Sequence, residues 1–170
     1  MKQTIITVNE QYQAGYTYPT TEPAGKNFNP DFQPDLSPAQ MLKLGIFGGA
    51  YFKVVPNEFP AQWFKDVKLS TYTKPDKNLN YFKVNASQPL KTWQQKGWIY
   101  EEDPLGWVLW YFRYYRGRRI AEEDLRQIKR WKAMNRHIAQ LQSACLPADL
   151  NCRPKQRQAL LHWAYDTRKI

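Results

Sequence analysis

Histidine and cysteine are nearly missing from this 170-residue chain: His137, His162, Cys145 and Cys152 are the whole supply. A four-ligand zinc site would consume all of them, and the spacing Cys-x6-Cys-x9-His is not that of paired zinc ligands. No metal and no cofactor is therefore expected. Histidine-based acid–base catalysis has few candidates. Gly-x-Ser-x-Gly, His-Glu-x-x-His and kinase signatures are all absent. Any enzyme built on this sequence would rely on carboxylate, arginine and tyrosine, and whether it catalyses a reaction is left open.

Acidic residues are also scarce: 15 Asp and Glu against 25 Lys and Arg, a formal net charge of +10. That excess favours a polyanionic partner. Long apolar runs are lacking too. Trp107–Phe112 is far too short to span a bilayer, so no membrane association is expected. The first ten residues carry no apolar leader segment. A cytoplasmic protein with both thiols reduced is the expectation. A disulfide across the loop between the last two helices is geometrically possible, but that setting argues against it. Cys152, near a helix start, can alternatively be a reactive thiol. Glycine is sparse, and its one cluster, Gly45-Ile-Phe-Gly-Gly-Ala50, lacks the Lys-Ser/Thr of a P-loop and reads as a tight turn.

Aromatics are abundant, with 7 Trp and 11 Tyr in 15% Phe, Trp and Tyr. They concentrate in Asp103–Arg119. Asp103-Pro104 suits a helix start and Gly117 a left-handed stop. Between them nearly every residue is large and apolar, which marks a buried helix. Such a helix, tipped with arginines, is either a core element or a stacking-and-phosphate platform.

The rest follows from caps and periodicity. Residues 1–35 read as an irregular arm, with a short edge strand at Lys2–Val8 and the aromatics Tyr12, Tyr16, Tyr18, Phe28 and Phe32 pinning it down. Ser37-Pro38-Ala39-Gln40 is a capping box, with Leu36 and Met41 spaced as a hydrophobic staple, and opens a helix over 38–44. Ala50–Val55 suits a short strand, and Pro56–Phe64 a turn and a short helix. Ser87, Pro89 and Gly97 bracket a helix over 88–96. Glu101, Glu102 and Asp103 favour the positive end of the next helix; alternatively Glu101 or Asp103 is a general acid or base among aromatics. Residues 122–145 predict one amphipathic helix, with Ile128, Trp131, Met134, Ile138, Leu141 and Cys145 on one face. The last helix runs over 153–168, where Arg157 and Arg168 fall beside apolar positions and need a carboxylate, phosphate or aromatic partner.

The segments Trp110–Arg119, Arg126–Trp131 and Cys152–Arg168 resemble a group of uncharacterised proteins sharing Arg-Tyr-Tyr-x-Gly-Arg-Arg and Cys-Arg-Pro-x-Gln-Arg-Gln-Ala-Leu-Leu. The resemblance covers 100 to 130 residues. It implies a discrete module and carries over no functional residue.

The expected fold is therefore mainly α, a single domain over 1–170. It has a compact three-helix C-terminal body (104–116, 122–145, 153–168), short helices and loops over 36–100, and the arm. The expected function is nucleic-acid binding, to DNA or RNA. Arg118, Arg119, Arg126, Lys129, Arg130 and Arg136 would hold phosphates, and Tyr114, Tyr115 and Trp131 would stack on bases. The alternatives are a small enzyme binding an anionic metabolite or nucleotide through Arg113, Arg116 and Arg157, and a protein-interaction subunit.

Overall fold

The computed structural model describes residues 3–70, 74–86, 92, 95–97 and 99–170. The chain is helix-rich, with about 40% of it helical, but it is not plainly mainly α, because an antiparallel two-stranded sheet stands beside the helices. The chain divides into two compact units, each assembled from three separate stretches. One comprises Met1–Gln33, Pro56–Pro60 and Gln88–Lys129. The other comprises Pro34–Val55, Ala61–Ser87 and Arg130–Ile170.

In the first unit, β1 (Thr4–Asn9) pairs with β2 (Ala14–Thr20), Ile6 opposite Tyr18 and Val8 opposite Tyr16, with an irregularity after Val8. Ile6, Val8, Tyr16, Tyr18 and Thr20 share the more buried face, as a period of two requires. The second strand overturns the expectation that the arm is irregular beyond Lys2–Val8. Pro19 and Gly15 mask it in the sequence, yet proline is tolerated on an edge strand, and both strands of a hairpin are edges.

Helix α2 (Trp107–Arg116) is the buried aromatic rod, with Trp110 and Phe112 fully enclosed. Phe32 from the arm seats among Trp107, Trp110, Tyr111 and Tyr114, with ring centroids 5.5–6.3 Å away. Gly117 stops the helix in the left-handed region at φ 119°, and a Cβ there would lie 2.1 Å from the carbonyl oxygen of Glu22. The start differs from expectation. Gly106, not Asp103, precedes the first helical residue, and the Asp103 carboxylate turns inward instead.

Helix α3 (Ala121–Ala133) crosses the division between the units at Lys129–Arg130. The expected helix over 122–145 is two helices. It breaks at Met134, where the bonds shorten to i→i+3, and α4 covers Asn135–Ala144. Asn135, a weak helix former, sits at the break.

In the second unit, α1 (Pro38–Lys43) opens with the complete Ser37–Gln40 capping box. Gly45–Gly49 then turns tightly against Lys68, Ser70, Asp76 and Leu79. Its carbonyls accept from Ser70 and Asp76 amides at 3.0 and 2.9 Å, so the run is a backbone packing site and not an anion cradle. Gly45 has φ 67°, and an added Cβ would lie 1.8 Å from the Leu79 carbonyl oxygen. Gly45→Ala should therefore cost more than about 1 kcal/mol, seen as a lower urea midpoint with an unchanged slope. Ala50–Val55 forms bends and no strand, and Ala61–Phe64 is a 3-10 turn. The helix expected over 88–96 falls largely outside the described residues.

Helix α5 (Pro154–Leu161) starts at the expected proline but ends well before 168. Ala164 adopts φ 63°, its carbonyl accepts from Asp35, and a 3-10 turn at Thr167–Lys169 follows. Tyr165 stacks on Trp131 at 4.9 Å and donates to its carbonyl at 2.6 Å, which fixes the tail on the α3 end.

Candidate functional site

The arginines of the first unit are spent internally. Arg113, completely buried, donates to both oxygens of Glu58 at 2.8 and 3.0 Å, to Asp103 at 2.8 Å and to the Gln13 side chain at 2.7 Å. Tyr12 and Tyr18 complete the Glu58 carboxylate with phenol donors at 2.8 and 2.6 Å. Arg118, 1% exposed, forms a two-pronged pair with Asp103 at 2.6 and 2.7 Å. Burial works against its charged form, but the bonds to Asp103 outweigh that and hold its pKa above the usual guanidinium value. Arg116 donates to the Glu58 carbonyl.

Arg119 lies 3.8 Å over the Tyr114 ring and donates to the carbonyls of Tyr114, Arg118, Lys26 and Asn27. Arg126 pairs with Glu123 at 2.5 Å. Lys129 is exposed, Tyr115 half-buried, and Tyr114 and Trp131 are 2% and 6% exposed. Arg118 and Arg119, predicted phosphate contacts, are thus structural, and Tyr114 and Trp131 are not open stacking platforms. Asp103, one of the two candidates for a general acid or base, is a buried ion-pair partner.

The arginines of the enzyme alternative are each bonded within their own unit. Arg113 and Arg116 are committed within the first unit. Arg157 belongs to the second, where it is fully buried and donates to the carbonyls of Cys152, Thr167 and Ile170 at 2.7–2.8 Å. Arg168 has the carboxylate partner the sequence demanded, Asp166 at 2.8 Å. Its hydrogen bonds hold the Asp166 carboxyl below the usual range.

His162 is a core residue of the same unit. Its Nε2 accepts from Gln158 at 2.9 Å and from the Phe47 amide at 3.4 Å, and burial pushes its pKa down to about 3. Gln158 also accepts from the Phe82 amide at 3.1 Å, so one buried amide ties α5 to the loop before residue 83. Cys145 and Cys152 form a disulfide, which corrects the expectation of two reduced thiols and of a reactive Cys152. The short loop brings their Cα atoms to 5.8 Å, within bridging range.

The charge is segregated in a way that the linear sequence conceals. The first unit holds 10 Lys and Arg against 10 Asp and Glu, and the second holds 15 against 5. The whole net charge of +10 therefore resides in the second unit. Lys43, Lys53, Lys65, Lys68, Arg136, Arg153 and Lys155 are among its exposed cations.

The second unit also carries a groove of about 570 Å³ between α4 and α5. Met134, Ala159, Leu160 and Trp163 give it an apolar floor, and Arg153 and Lys155 stand on its rim. Gln156 spans from α5 to α4, donating to Gln140 at 2.7 Å and meeting His137 Nδ1 at 3.0 Å. The Arg130 guanidinium lies 5.4 Å from the centre of the Trp163 ring. The sequence reading missed this groove. It placed Trp163 on the apolar side and Lys155 on the polar side of one long helix. Only the break after Leu161 and the disulfide-closed turn bring α4 alongside.

Among the described residues, no group of three or more His, Cys, Asp or Glu is placed to hold a metal ion, and no helix is long and apolar enough to cross a membrane. Compared with protein-family models, curated proteins and solved structures, the chain matches none.

Proposed function

We propose that this chain binds nucleic acid, DNA or RNA, through the surface of its second unit. The observation that supports this reading is the segregation of charge: one unit is electrically balanced, with Arg113 and Arg118 in buried ion pairs, while the other carries the surplus, most of it on exposed side chains. Phosphates reward such a surplus by releasing counterions, which makes binding strongly salt-dependent. Of the cations expected from the sequence, Arg130 and Arg136 belong to this surface, and Arg153 and Lys155 join them.

Anisotropy of a labelled 20-nucleotide strand tests the reading. Affinity should fall steeply as salt rises. Changing Arg136, Arg153 and Lys155 together to Gln, which keeps most of each stem, should flatten the logarithmic salt slope by about 0.7 per lost phosphate contact. Arg126→Gln with Lys129→Gln, in the neutral unit, should change affinity less than about twofold. A protein that binds no strand or duplex at low salt would not be a nucleic-acid-binding protein.

A further inference from the structure

We propose that the groove between α4 and α5 is a nucleobase cleft: it takes one unpaired base of a single strand against Trp163, while Arg153 and Lys155 hold the adjoining phosphates. The inference rests on nucleic acid as the partner and assigns the class, single-stranded over duplex, and the place where the base is held.

Three features of the groove point to this occupant. Its volume of about 570 Å³ lies in the range of sites that enclose small ligands. Its floor of Met134, Ala159, Leu160 and the Trp163 indole is what a flat, weakly polar base replaces water against. Its rim carries two exposed cations and, among the described residues, no carboxylate lines it, so the charge is complementary to a phosphodiester that continues past the base on either side. An uncharged apolar ligand would leave Arg153 and Lys155 without a role, and an acidic ligand without a ring would leave the indole without one.

The cleft is also held in shape. Arg130 over the Trp163 ring fixes the indole plane by a cation–π contact. Gln156 bonded to Gln140 and His137 fixes the spacing of the two helices midway along, and the Cys145–Cys152 disulfide joins their ends. A paired base inside a duplex cannot reach a concave floor without leaving its stack. An unpaired base meets no such obstacle.

Three labelled probes test the proposal at low salt: a 12-mer oligodeoxythymidylate, an abasic deoxyribose-phosphate strand of equal length, and a 12-base-pair duplex. The thymidylate strand should bind about tenfold tighter than the abasic strand, which shares its charge but has no ring. Trp163→Ala should abolish that advantage and Trp163→Phe should retain most of it. Ala159→Phe fills the groove without removing any contact, which guards against a Trp163 variant that fails to fold. It should remove the thymidylate advantage and leave duplex binding unchanged. Equal affinity for the thymidylate and abasic strands, unaltered by Ala159→Phe, would overturn the cleft and leave the polyanion surface standing. Absence of binding to all three probes would overturn both.

Discussion

Asp103→Ala should destabilise the protein by about 3–5 kcal/mol, the cost of leaving a buried charge without its partner. Asp103 is wholly buried and its two oxygens receive Arg113 at 2.8 Å and Arg118 at 2.6 and 2.7 Å. Arg113 would keep Glu58. Arg118 would keep only the Tyr16 hydroxyl, at 3.1 Å, and its Nε has no partner even in the intact network. The loss should appear as a lower urea midpoint, by more than 1 M for a slope of about 2 kcal/mol/M. Adding Arg118→Met to Asp103→Ala should recover part of it, because an apolar side chain of similar length removes the stranded charge. If the single variant unfolds at the wild-type midpoint, Asp103 is not the keystone of this network. If the second change worsens the first, the penalty is not one of unpaired charge.

The second large effect is acid sensitivity set by His162. The unfolded chain takes up a proton on this residue near pH 6.5, and the folded chain only near pH 3 because burial excludes the charged ring. Between those values the unfolded state binds more protons. Stability is therefore undiminished above pH 6.5 and falls as pH drops toward 3, by up to about 5 kcal/mol over the window. Asp166, held low by Arg168, adds loss in the same direction at the acid end. Asp124, raised by burial, contributes in the opposite direction. His162→Gln keeps an acceptor for Gln158 and for the Phe47 amide but cannot titrate. Its stability should fall far less between pH 6.5 and 4 than that of the wild type, measured by urea unfolding at each pH. Parallel curves for the two proteins would assign the acid sensitivity elsewhere.

Arg113, Arg118 and Arg157 are buried and bonded to internal carboxylates and carbonyls, so those arginines serve the fold. The second unit carries the surplus of lysine and arginine, and Arg153 and Lys155 line the same groove as Trp163.

Local chemistry was legible in the residues themselves. The Ser37–Gln40 capping box, the left-handed stop at Gly117, the proline start at Pro154 and the burial of the Trp107–Arg116 rod each depend on neighbours within a turn or two. The arm anchors Phe28 and Phe32 were legible as aromatics in need of a core. The need of Arg157 for a partner was legible from helical spacing, but not its backbone-carbonyl partners; Arg168 lies beyond the end of that helix, part-exposed, and its pairing with Asp166 comes from the closing 3-10 turn.

Tertiary structure alone decided the rest. Glu58 is 55 residues from Arg113, and no local pattern links them. The breaks at Met134 and after Leu161 follow from i→i+3 bonding and a left-handed alanine, neither of which composition forecasts. Each compact unit is woven from three distant stretches, so a charge count along the chain averages a neutral body with a strongly basic one. A sequence lists its charges in order along one dimension, whereas cancellation and accumulation depend on distance in three, and only the folded chain sets those distances.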